Sequence, residues 1–312
     1  MQAVPRVVAV VVTWNRRDLL IESLDAIRAQ STPVSAMVVV DNASTDGTDD
    51  VLAKYEGLDV VTLRENTGGA GGFAAGIERA LAAYEPDLVW LMDDDTVAEP
   101  TALAEAVDTY EHAKPTPKVI ASRVVWSDGR DHPMNTPRRK PGATQQEVRA
   151  AQSVGAMPIR SASFVSILCD ADIIRERGLP IADYFLWNDD FEYSTRLLRG
   201  HSGLYCPASV VVHKTKAFGS TDADPGARFY YEVRNKTWLY TRSRGLAPVE
   251  KAVYAGSTLR RWAKTIVASR DRTTLLRGLG RGLRDGIRSG PRDNDVVLGP
   301  VRAVTTDRSD GE

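Results

Sequence analysis

Three consecutive aspartates, Asp93, Asp94 and Asp95, directly follow a short apolar run at residues 88–92. Carboxylates packed this closely repel one another and raise one another's pKa unless a cation neutralises them. Mg²⁺ and Mn²⁺ take oxygen ligands from one or two carboxylates together with substrate phosphates. Asp93 and Asp95 therefore predict a divalent metal site, and the alternative is a solvated turn at the end of a strand.

Polar residues also follow other apolar runs. The sequence TWNR (13–16) follows the run at 7–12, and Asp41 and Asn42 follow the run at 37–40. The glycine-rich segment RENTGGAGG (64–72) allows close backbone approach, and the N-terminus of a following helix would favour an anion. This segment has neither the Gly-Lys-Ser/Thr of a phosphate loop nor a Gly-x-Gly-x-x-Gly after the first strand. Both absences count against a nucleoside-triphosphate hydrolase and a dinucleotide-binding enzyme.

A second acidic cluster, WNDDFE (187–192), opens a predicted helix that runs to Arg199. Asp189 or Asp190 could simply cap that helix, with Glu192 completing the capping arrangement. The functional interpretation is a general base beside an aromatic sugar platform. His213 follows the β-branched run at 210–212, and at a strand end opposite a carboxylate site it is a candidate metal ligand rather than a structural histidine.

Alternating apolar runs and helical patterns predict the elements that carry these residues. Strands separated by helices predict an α/β fold with a mainly parallel sheet. Ligands of such sheets lie beyond the carboxyl ends of the strands. Residues 128–150 are rich in Pro, Arg, Lys and Gln, so we expect a loop there. The predicted strands are 7–12, 37–40, 60–63, 88–92, 159–168 and 209–212, and the predicted helices are 18–29, 73–84 and 191–198.

Composition narrows the class of protein. The 312 residues are 43% hydrophobic and 26% charged, which is typical of a folded globular protein. A net charge of −1 leaves no global basic footprint for nucleic acid. Cys169 and Cys206 cannot form a disulfide framework, and no apolar run reaches the roughly 18 residues that span a bilayer. We therefore expect a cytoplasmic protein in a reducing compartment.

The C-terminal part of the chain has a different charge balance. Residues 251–288 contain ten Lys or Arg against two Asp, a net charge of +8, with leucines and other apolar residues between them. Basic amphipathic helices bind anionic membrane surfaces, and the alternative is a solvated helical face packed on the main domain. We expect one domain at 1–248, a basic helical extension at 249–290 and a disordered tail at 291–312.

These motifs together resemble a known family. The matching segments are VVVTWNRRDLL (10–20), VVVDNASTDGT (38–48), RENTGGAGGFAAG (64–76), WLMDDDT (90–96) and FLWNDDFEYSTR (185–196), followed by His213. In this order and spacing the sequence resembles glycosyltransferase family 2, whose members are inverting enzymes with a GT-A fold. The glycine-rich segment and the acidic triplet are similar to those of actinobacterial galactofuranosyltransferases and the related rhamnosyltransferases.

The resemblance implies a role for each matching residue. Asp93, Asp95 and His213 would hold Mn²⁺ or Mg²⁺, and Asp190 would be the catalytic base. Trp187, Asp189 and Glu192 would line the acceptor or sugar pocket. The nucleotide-sugar donor would be bound by Thr13, Asn15, Arg16, Asp41, Arg64, Asn66, Gly71, Gly72 and Asp94.

The implied activity is metal-dependent, inverting transfer of galactofuranose from UDP-galactofuranose. The acceptor would be polyprenyl-linked or a glycan in cell-envelope polysaccharide synthesis, reached from the cytoplasm at the inner face of the plasma membrane. Three alternatives remain open: a rhamnosyltransferase using dTDP-rhamnose, a nucleotidyltransferase, and a non-catalytic scaffold that binds nucleotide sugars. Their products separate them, because a glycosyltransferase releases nucleoside diphosphate, a nucleotidyltransferase releases pyrophosphate and a scaffold releases neither.

Overall fold

The computed structural model describes residues 5–216, 218 and 224–299. Short 3₁₀ helices cover Ala182–Tyr184 and Gly226–Arg228. The strands are β1 (Val7–Thr13), β2 (Ala36–Asp41), β3 (Leu58–Thr62), β4 (Leu88–Asp93), β5 (Thr96–Ala98), β6 (Val119–Val125), β7 (Arg138–Arg139), β8 (Met157–Ser161), β9 (Ser166–Asp170) and β10 (Gly203–His213). The helices are α1 (Arg17–Arg28), α2 (Thr48–Leu52), α3 (Gly68–Tyr84), α4 (Ala102–His112), α5 (Gln145–Gln152), α6 (Ala171–Arg177), α7 (Asp189–Leu197), α8 (Phe229–Thr241), α9 (Pro248–Ala268), α10 (Arg272–Arg288) and α11 (Asn294–Leu298).

The described strands form one mixed sheet in the order β3-β2-β1-β4-β9-β6-β10-β8-β7, with β5 paired to β10. The pairs β1–β2, β2–β3 and β1–β4 are parallel, as the βαβ pattern predicts. Strand β9 runs antiparallel to both β4 and β6, and β10 is parallel to β6. Because β9 is antiparallel to both β4 and β6, strands β6 and β10 run in the same direction as β4. Strand β10 therefore ends at the same edge of the sheet as β1, β2 and β4.

Strand β1 is buried on both faces, which explains its continuous run of valines. Val8, Val10 and Val12 pack into the cluster that contains α3, and Val7 and Val11 pack into the cluster that contains α1 and α4. The apolar sequence at 7–12 therefore reflects a central strand between two helical layers.

The glycine-rich segment differs from its predicted form. We expected a loop through residue 72 with a helix from 73, whereas α3 begins at Gly68. A Cβ on Gly72 would lie 2.4 Å from Val12 Cγ1, and one on Gly76 would lie 2.5 Å from Val10 Cγ1. These glycines let the helix approach β1 more closely than a side chain would allow.

Residues 128–150 also differ from the expected loop, because they contain β7 and the start of α5. Thr144 and Glu147 form a capping box at the N-terminus of that helix. Further upstream, His132 and Asn135 are buried. A segment without apolar periodicity is here held by specific polar contacts.

The C-terminal helices share a core with the rest of the chain. Phe229 and Val233 of α8 form one cluster with Trp262 of α9 and Leu275 of α10. Disorder was expected from residue 291, but Leu298 of α11 is buried in the cluster that contains α3. The remaining part of that expected tail, 300–312, lies outside the described residues. Among the helices that the structure describes, none combines the length and apolar character needed to cross a bilayer.

Candidate active site

The ends of β1, β2, β4 and β10 bring together most of the polar residues that the sequence analysis identified. His213 ends β10 and pairs across to Thr96 of β5, directly after the acidic triplet. The backbone N–H of Lys214 donates to the carbonyl of Asp95 at 2.8 Å. The pairing of β10 with β5 and this hydrogen bond therefore fix the histidine beside the aspartates, although more than a hundred residues separate them in sequence.

Asp93, Asp95 and His213 form a group that fits a metal ion. One potential ligand atom from each lies within 4.8 Å of the others. Asp95 Oδ1 is buried and lies 3.1 Å from His213 Nε2, but it has no hydrogen-bond partner of acceptable geometry among the described residues. A buried carboxylate oxygen of this kind costs free energy unless a cation or donor satisfies it. Two carboxylates and an imidazole are a donor set suited to Mn²⁺ or Mg²⁺.

The three aspartates of the triplet differ in how strongly their surroundings favour the ionised carboxylate. Burial and the neighbouring charge of Asp95 raise the pKa of Asp93 to about 7, and burial raises the pKa of Asp94 to about 6. Burial opposes ionisation of Asp95 as well, but the contact with His213 and the charge of Arg16 lower its pKa. A divalent cation would favour the ionised form of both proposed carboxylate ligands.

Asp94 and Arg16 connect the first strand to the triplet. Thr13 Oγ1 donates to Asp94 Oδ2 at 2.9 Å, and the Trp14 backbone N–H donates to the same oxygen at 3.2 Å. Arg16 Nη1 donates to Asp94 Oδ1 at 3.2 Å and also to Asp95. Arg16 remains about half exposed, so its guanidinium borders both the metal group and solvent.

Asp41 and Asn15 shape the loops beside this edge. Asp41 is buried and its Oδ1 accepts from the Ser44 backbone N–H at 2.9 Å. Asn15 has a positive φ of 52°, and its Oδ1 accepts from the Thr45 N–H at 2.7 Å. Asn15 therefore joins the loops after β1 and β2 through its side-chain oxygen.

The glycine-rich segment lies beside the loop that carries Asp189. Gly71 and Gly72 were predicted to bind the donor, but both are buried in packing contacts, Gly71 against Thr67 and Gly72 against Val12. Gly69 lies nearer the acidic residues, since a Cβ there would be 3.8 Å from Asp189 Oδ2. Asn66 Oδ1 accepts from the Gly68 N–H at 2.8 Å and so shapes the start of α3.

Arg64 is exposed, and the structure gives it no contact that fixes it at the site. Asp189 and Asp190 begin α7, with Asp189 close enough to Asp93 for their charges to interact. Burial raises the pKa of both aspartates, and the positive charges of Lys236 and Arg138 partly offset this for Asp190. The two neighbours therefore face different surroundings.

Trp187 and Glu192 were expected in the acceptor or sugar pocket. Trp187 is half-buried, and the guanidinium of Arg228 lies 5.2 Å from its ring centre. Glu192 is buried within the protein, where it forms an ion pair with Arg196 at 3.0 Å and accepts from Ser243 Oγ at 2.7 Å. These partners occupy the Glu192 carboxylate, so we leave it out of the proposed pocket.

Two asparagines at the site were assigned no role in the sequence analysis, and Asn135 was not named there. Asn135 Oδ1 lies 2.9 Å from His213 Nδ1. Asn42 joins the end of β2 to the start of α3, because its side chain accepts from the Thr67 N–H and donates to the Gly68 carbonyl, both at 2.8 Å. With Nδ1 as the donor, neutral His213 presents an unprotonated Nε2 to the metal group. The sequence showed Asn42 beside Asp41 at a strand end, but only the structure shows what its side chain contacts. Asn135 lies in a segment without any periodic signal.

Comparisons with known proteins agree with this geometry. Residues 8–171 match the family described as glycosyl transferase family 2. The chain belongs to this family. It is 31% identical over 272 residues to the galactofuranosyltransferase GlfT1 of Mycobacterium tuberculosis, covering 76% of this chain and 82% of that protein. A putative teichuronic acid biosynthesis glycosyltransferase, TuaG of Bacillus subtilis, is 37% identical over 95 residues, covering 29% of this chain and 36% of its own.

Solved structures show the same fold. TarS of S. aureus, residues 1–349 in complex with UDP, superposes with a TM-score of 0.62 at 16% identity, covering 94% of this chain and 83% of that one. A mannosyltransferase from Pyrobaculum calidifontis in complex with GDP-Man and Mn²⁺ gives 0.55 at 20% identity, with coverages of 96% and 80%. This family 2 protein is therefore a glycosyltransferase with the GT-A fold expected from its motifs.

Proposed function

We propose that this family 2 enzyme transfers galactofuranose from UDP-galactofuranose to a glycan or polyprenyl-linked acceptor, with inversion and with Mn²⁺ or Mg²⁺, in cell-envelope polysaccharide synthesis. The observation that carries the proposal is the grouping of Asp93, Asp95 and His213 at the sheet edge. The relatives named galactofuranosyltransferase support the choice of sugar. The Mn²⁺ and nucleotide-sugar complexes of proteins with this fold support the cofactor and the donor class.

In this mechanism the chain positions the donor and removes one proton. Asp41 and Thr13 lie at strand ends where they would border the nucleoside, and Arg16 would face the diphosphate. Asp93, Asp95 and His213 would hold the divalent ion, which supplies charge stabilisation to the departing nucleoside diphosphate. Asp190 would accept the proton of the acceptor hydroxyl as that oxygen attacks the anomeric carbon opposite the leaving group. One displacement inverts the configuration and needs no covalent nucleophile.

Calorimetry with UDP and dTDP, with and without Mn²⁺, tests the donor site. We expect UDP binding that depends on Mn²⁺ and is lost in Asp93→Ala. Preference for dTDP would change the donor to dTDP-rhamnose, the alternative we considered, and leave the mechanism in place. Failure to bind either nucleotide would contradict the donor site and favour a non-catalytic scaffold.

The assignment of the base has its own test, because two aspartates begin α7. Asp190→Asn and Asp189→Asn remove one charge each at adjacent positions with the same shape. We expect Asp190→Asn to lower the rate of UDP release from UDP-galactofuranose about 10²–10⁴-fold, the range for a lost general base, while UDP affinity stays within two-fold. A larger loss in Asp189→Asn than in Asp190→Asn would move the base to Asp189.

We further propose that α9 and α10 rest on an anionic membrane surface. Among the described residues, most exposed large apolar side chains lie between 249 and 296. On α10, Gly282 and Gly286 pack against α8, whereas Leu276, Leu283 and Ile287 share an exposed side. Arg277, Arg281, Arg284 and Arg288 lie beside that stripe at helical spacing. An apolar stripe next to a basic stripe is the pattern of a helix lying in a lipid headgroup region.

Vesicle sedimentation tests this surface without deleting it. Arg260→Glu with Lys264→Glu reverses two exposed charges on α9, and Lys54→Glu with Arg149→Glu makes the same net change elsewhere on the surface. We expect wild type and the control pair to bind vesicles containing phosphatidylglycerol and to be released by high salt. The α9 pair should bind several-fold more weakly. Equal binding by all three proteins would contradict the proposal.

A further inference from the structure

The loop that leads into α7 has an unusual backbone. Phe185 has φ 63° and ψ −68°, and Trp187 and Asn188 have φ values of 65° and 66°. Bulky residues rarely adopt positive φ, and such conformations persist only where the surroundings hold them. The strained segment 184–188 ends directly before Asp189 and Asp190.

One buried side chain holds this segment from α8. Asn235 is fully buried, and its Nδ2 lies 2.8, 2.9 and 2.9 Å from the carbonyl oxygens of Tyr184, Leu186 and Trp187, so its two N–H groups are shared among three acceptors. Its Oδ1 accepts from Arg234 Nε at 3.1 Å, which is consistent with this orientation of the amide. Three carbonyl oxygens within four residues can converge on one amide only if the loop is bent as it is here.

A second contact from α8 holds the end of the same segment. Asn188 Nδ2 donates to Glu232 Oε2 at 2.7 Å. The other oxygen of Glu232 accepts from Arg261 and from Trp262 Nε1, both on α9. On the opposite side, the Phe185 carbonyl accepts from the Ala70 N–H at 3.3 Å, and it approaches Gly68 where a Cβ would lie 1.9 Å away. The loop therefore lies between α8 and the start of α3.

We infer that Asn235 is a positioning residue, which holds the strained loop 184–188 so that Asp189 and Asp190 face the donor edge of the sheet. This inference rests on the proposed function for the role of Asp190. Asn235 does not itself border the metal group. Its effect would pass through the backbone of the loop, with Glu232 and Asn188 giving a second point of attachment.

The loop's amide exchange gives a test that is independent of turnover. Asn235→Ala removes the amide that contacts all three carbonyls, and Asn188→Gly removes the Glu232 contact while keeping a residue that adopts positive φ. Thr237→Val is the matched control, since Thr237 Oγ1 donates only to the carbonyl of Val233 in its own helix. We expect Asn235→Ala to speed hydrogen–deuterium exchange at 184–190 at least ten-fold and Asn188→Gly to speed it less. Thr237→Val should match wild type.

Measurements of kcat and of UDP affinity distinguish a positioning role of Asn235 from a general loss of structure. With UDP-galactofuranose and an alkyl glycoside acceptor that wild type uses, Asn235→Ala should lower kcat at least ten-fold while UDP affinity stays within two-fold. Unchanged exchange, or faster exchange with unchanged kcat, would overturn the inference. If Asn235→Ala does not fold, unchanged exchange in Asn188→Gly overturns it. Full turnover by Asp190→Asn would instead contradict the proposed base, and the exchange result would still decide whether Asn235 holds the loop.

Discussion

Asp190 and Asp189 show how adjacent residues of one type acquire different surroundings. Asp189 Oδ2 lies near Gly69, and the charge of Asp189 interacts with that of Asp93. Asp190 accepts from the Phe191 N–H at 2.6 Å and interacts with the charges of Lys236 and Arg138. Burial and the nearby carboxylates Asp190 and Asp93 disfavour the ionised form of Asp189, whereas Asp190 lies beside two cations that favour its ionised, proton-accepting form.

The pH profile should report the surroundings of Asp190. Burial raises the pKa of Asp190, so kcat/KM should fall as pH drops through a value above the ordinary aspartate pKa of about 3.9. The charged groups that face it are Lys236 on α8, Arg138 on β7 and the neighbouring Asp189. Because Lys236 lowers the pKa of Asp190, Lys236→Met should move this acid limb up by about one pH unit. A limb at the same pH as in wild type and in the remote control Lys54→Met would contradict this.

Asn135 gives a prediction about metal affinity rather than turnover. Its Oδ1 accepts from His213 Nδ1 and so fixes the ring with Nε2 towards the aspartates. Loss of such an outer contact typically weakens metal binding 10–100-fold. We expect Asn135→Ala to weaken Mn²⁺ binding by about this factor in calorimetry, with the thermal midpoint little changed. Asn66→Ala, which removes a contact remote from His213, should bind Mn²⁺ as wild type does.

At the scale of elements, close packing of α3 on β1 connects the glycine-rich segment to the site. Gly72 and Gly76 bring the helix axis close to Val12 and Val10, which places Gly68 and Gly69 beside the loop that carries Asp189. Gly72, which the sequence analysis assigned to donor binding, and Gly76 therefore set the position of the helix. Their contribution is to bring the N-terminus of α3, where an anion is favoured, up to the strand ends.

Alanine substitution at two helical glycines distinguishes the effect of close packing on stability from the effect of helix propensity. A Cβ at position 72 would lie 2.4 Å from Val12 Cγ1, whereas nothing lies within 4 Å of one at position 280 in α10. We expect Gly72→Ala to lower the free energy of unfolding by about 1–3 kcal/mol through overpacking. Gly280→Ala should raise it by about 0.5–1 kcal/mol, because alanine is the better helix former. Chemical denaturation measures both, and equal shifts would contradict the packing argument.

At the scale of the whole molecule, the C-terminal helices contact several parts of the chain before residue 249. Trp238 Nε1 of α8 donates to the carbonyl of Ser289 at 2.7 Å, and Arg292 pairs with Asp183 at 2.7 Å. Arg160 of β8 is buried and forms an ion pair with Glu250 at the start of α9. The proposed membrane surface therefore packs against α8, the helix that holds the loop before α7.

Truncation after residue 248 tests this integration. It would remove Trp262, Leu275 and Leu298 from buried clusters, uncover Phe229 and Val233, and remove the hydrogen-bond acceptor of Trp238. Each large apolar side chain buried contributes about 1.5–3 kcal/mol, against a total stability of about 5–15 kcal/mol for a domain. We expect the truncated chain to lose cooperative thermal unfolding or to aggregate. Unfolding at the wild-type temperature would indicate that residues 249–312 are a separable extension.

The sequence by itself determined the α/β class, the family and the residues at the ends of β1, β2 and β4. It could do so because parallel strands between helical layers are continuously apolar, and because their carboxyl ends meet at one edge. The tertiary structure decided what depends on contacts between distant segments. It placed His213 through the pairing of β10 with β5, Asn135 through a segment without periodicity, and the packing role of Gly72 through its distance to Val12. Local pattern specifies which face of an element is buried, but only the packed chain specifies what that face contacts.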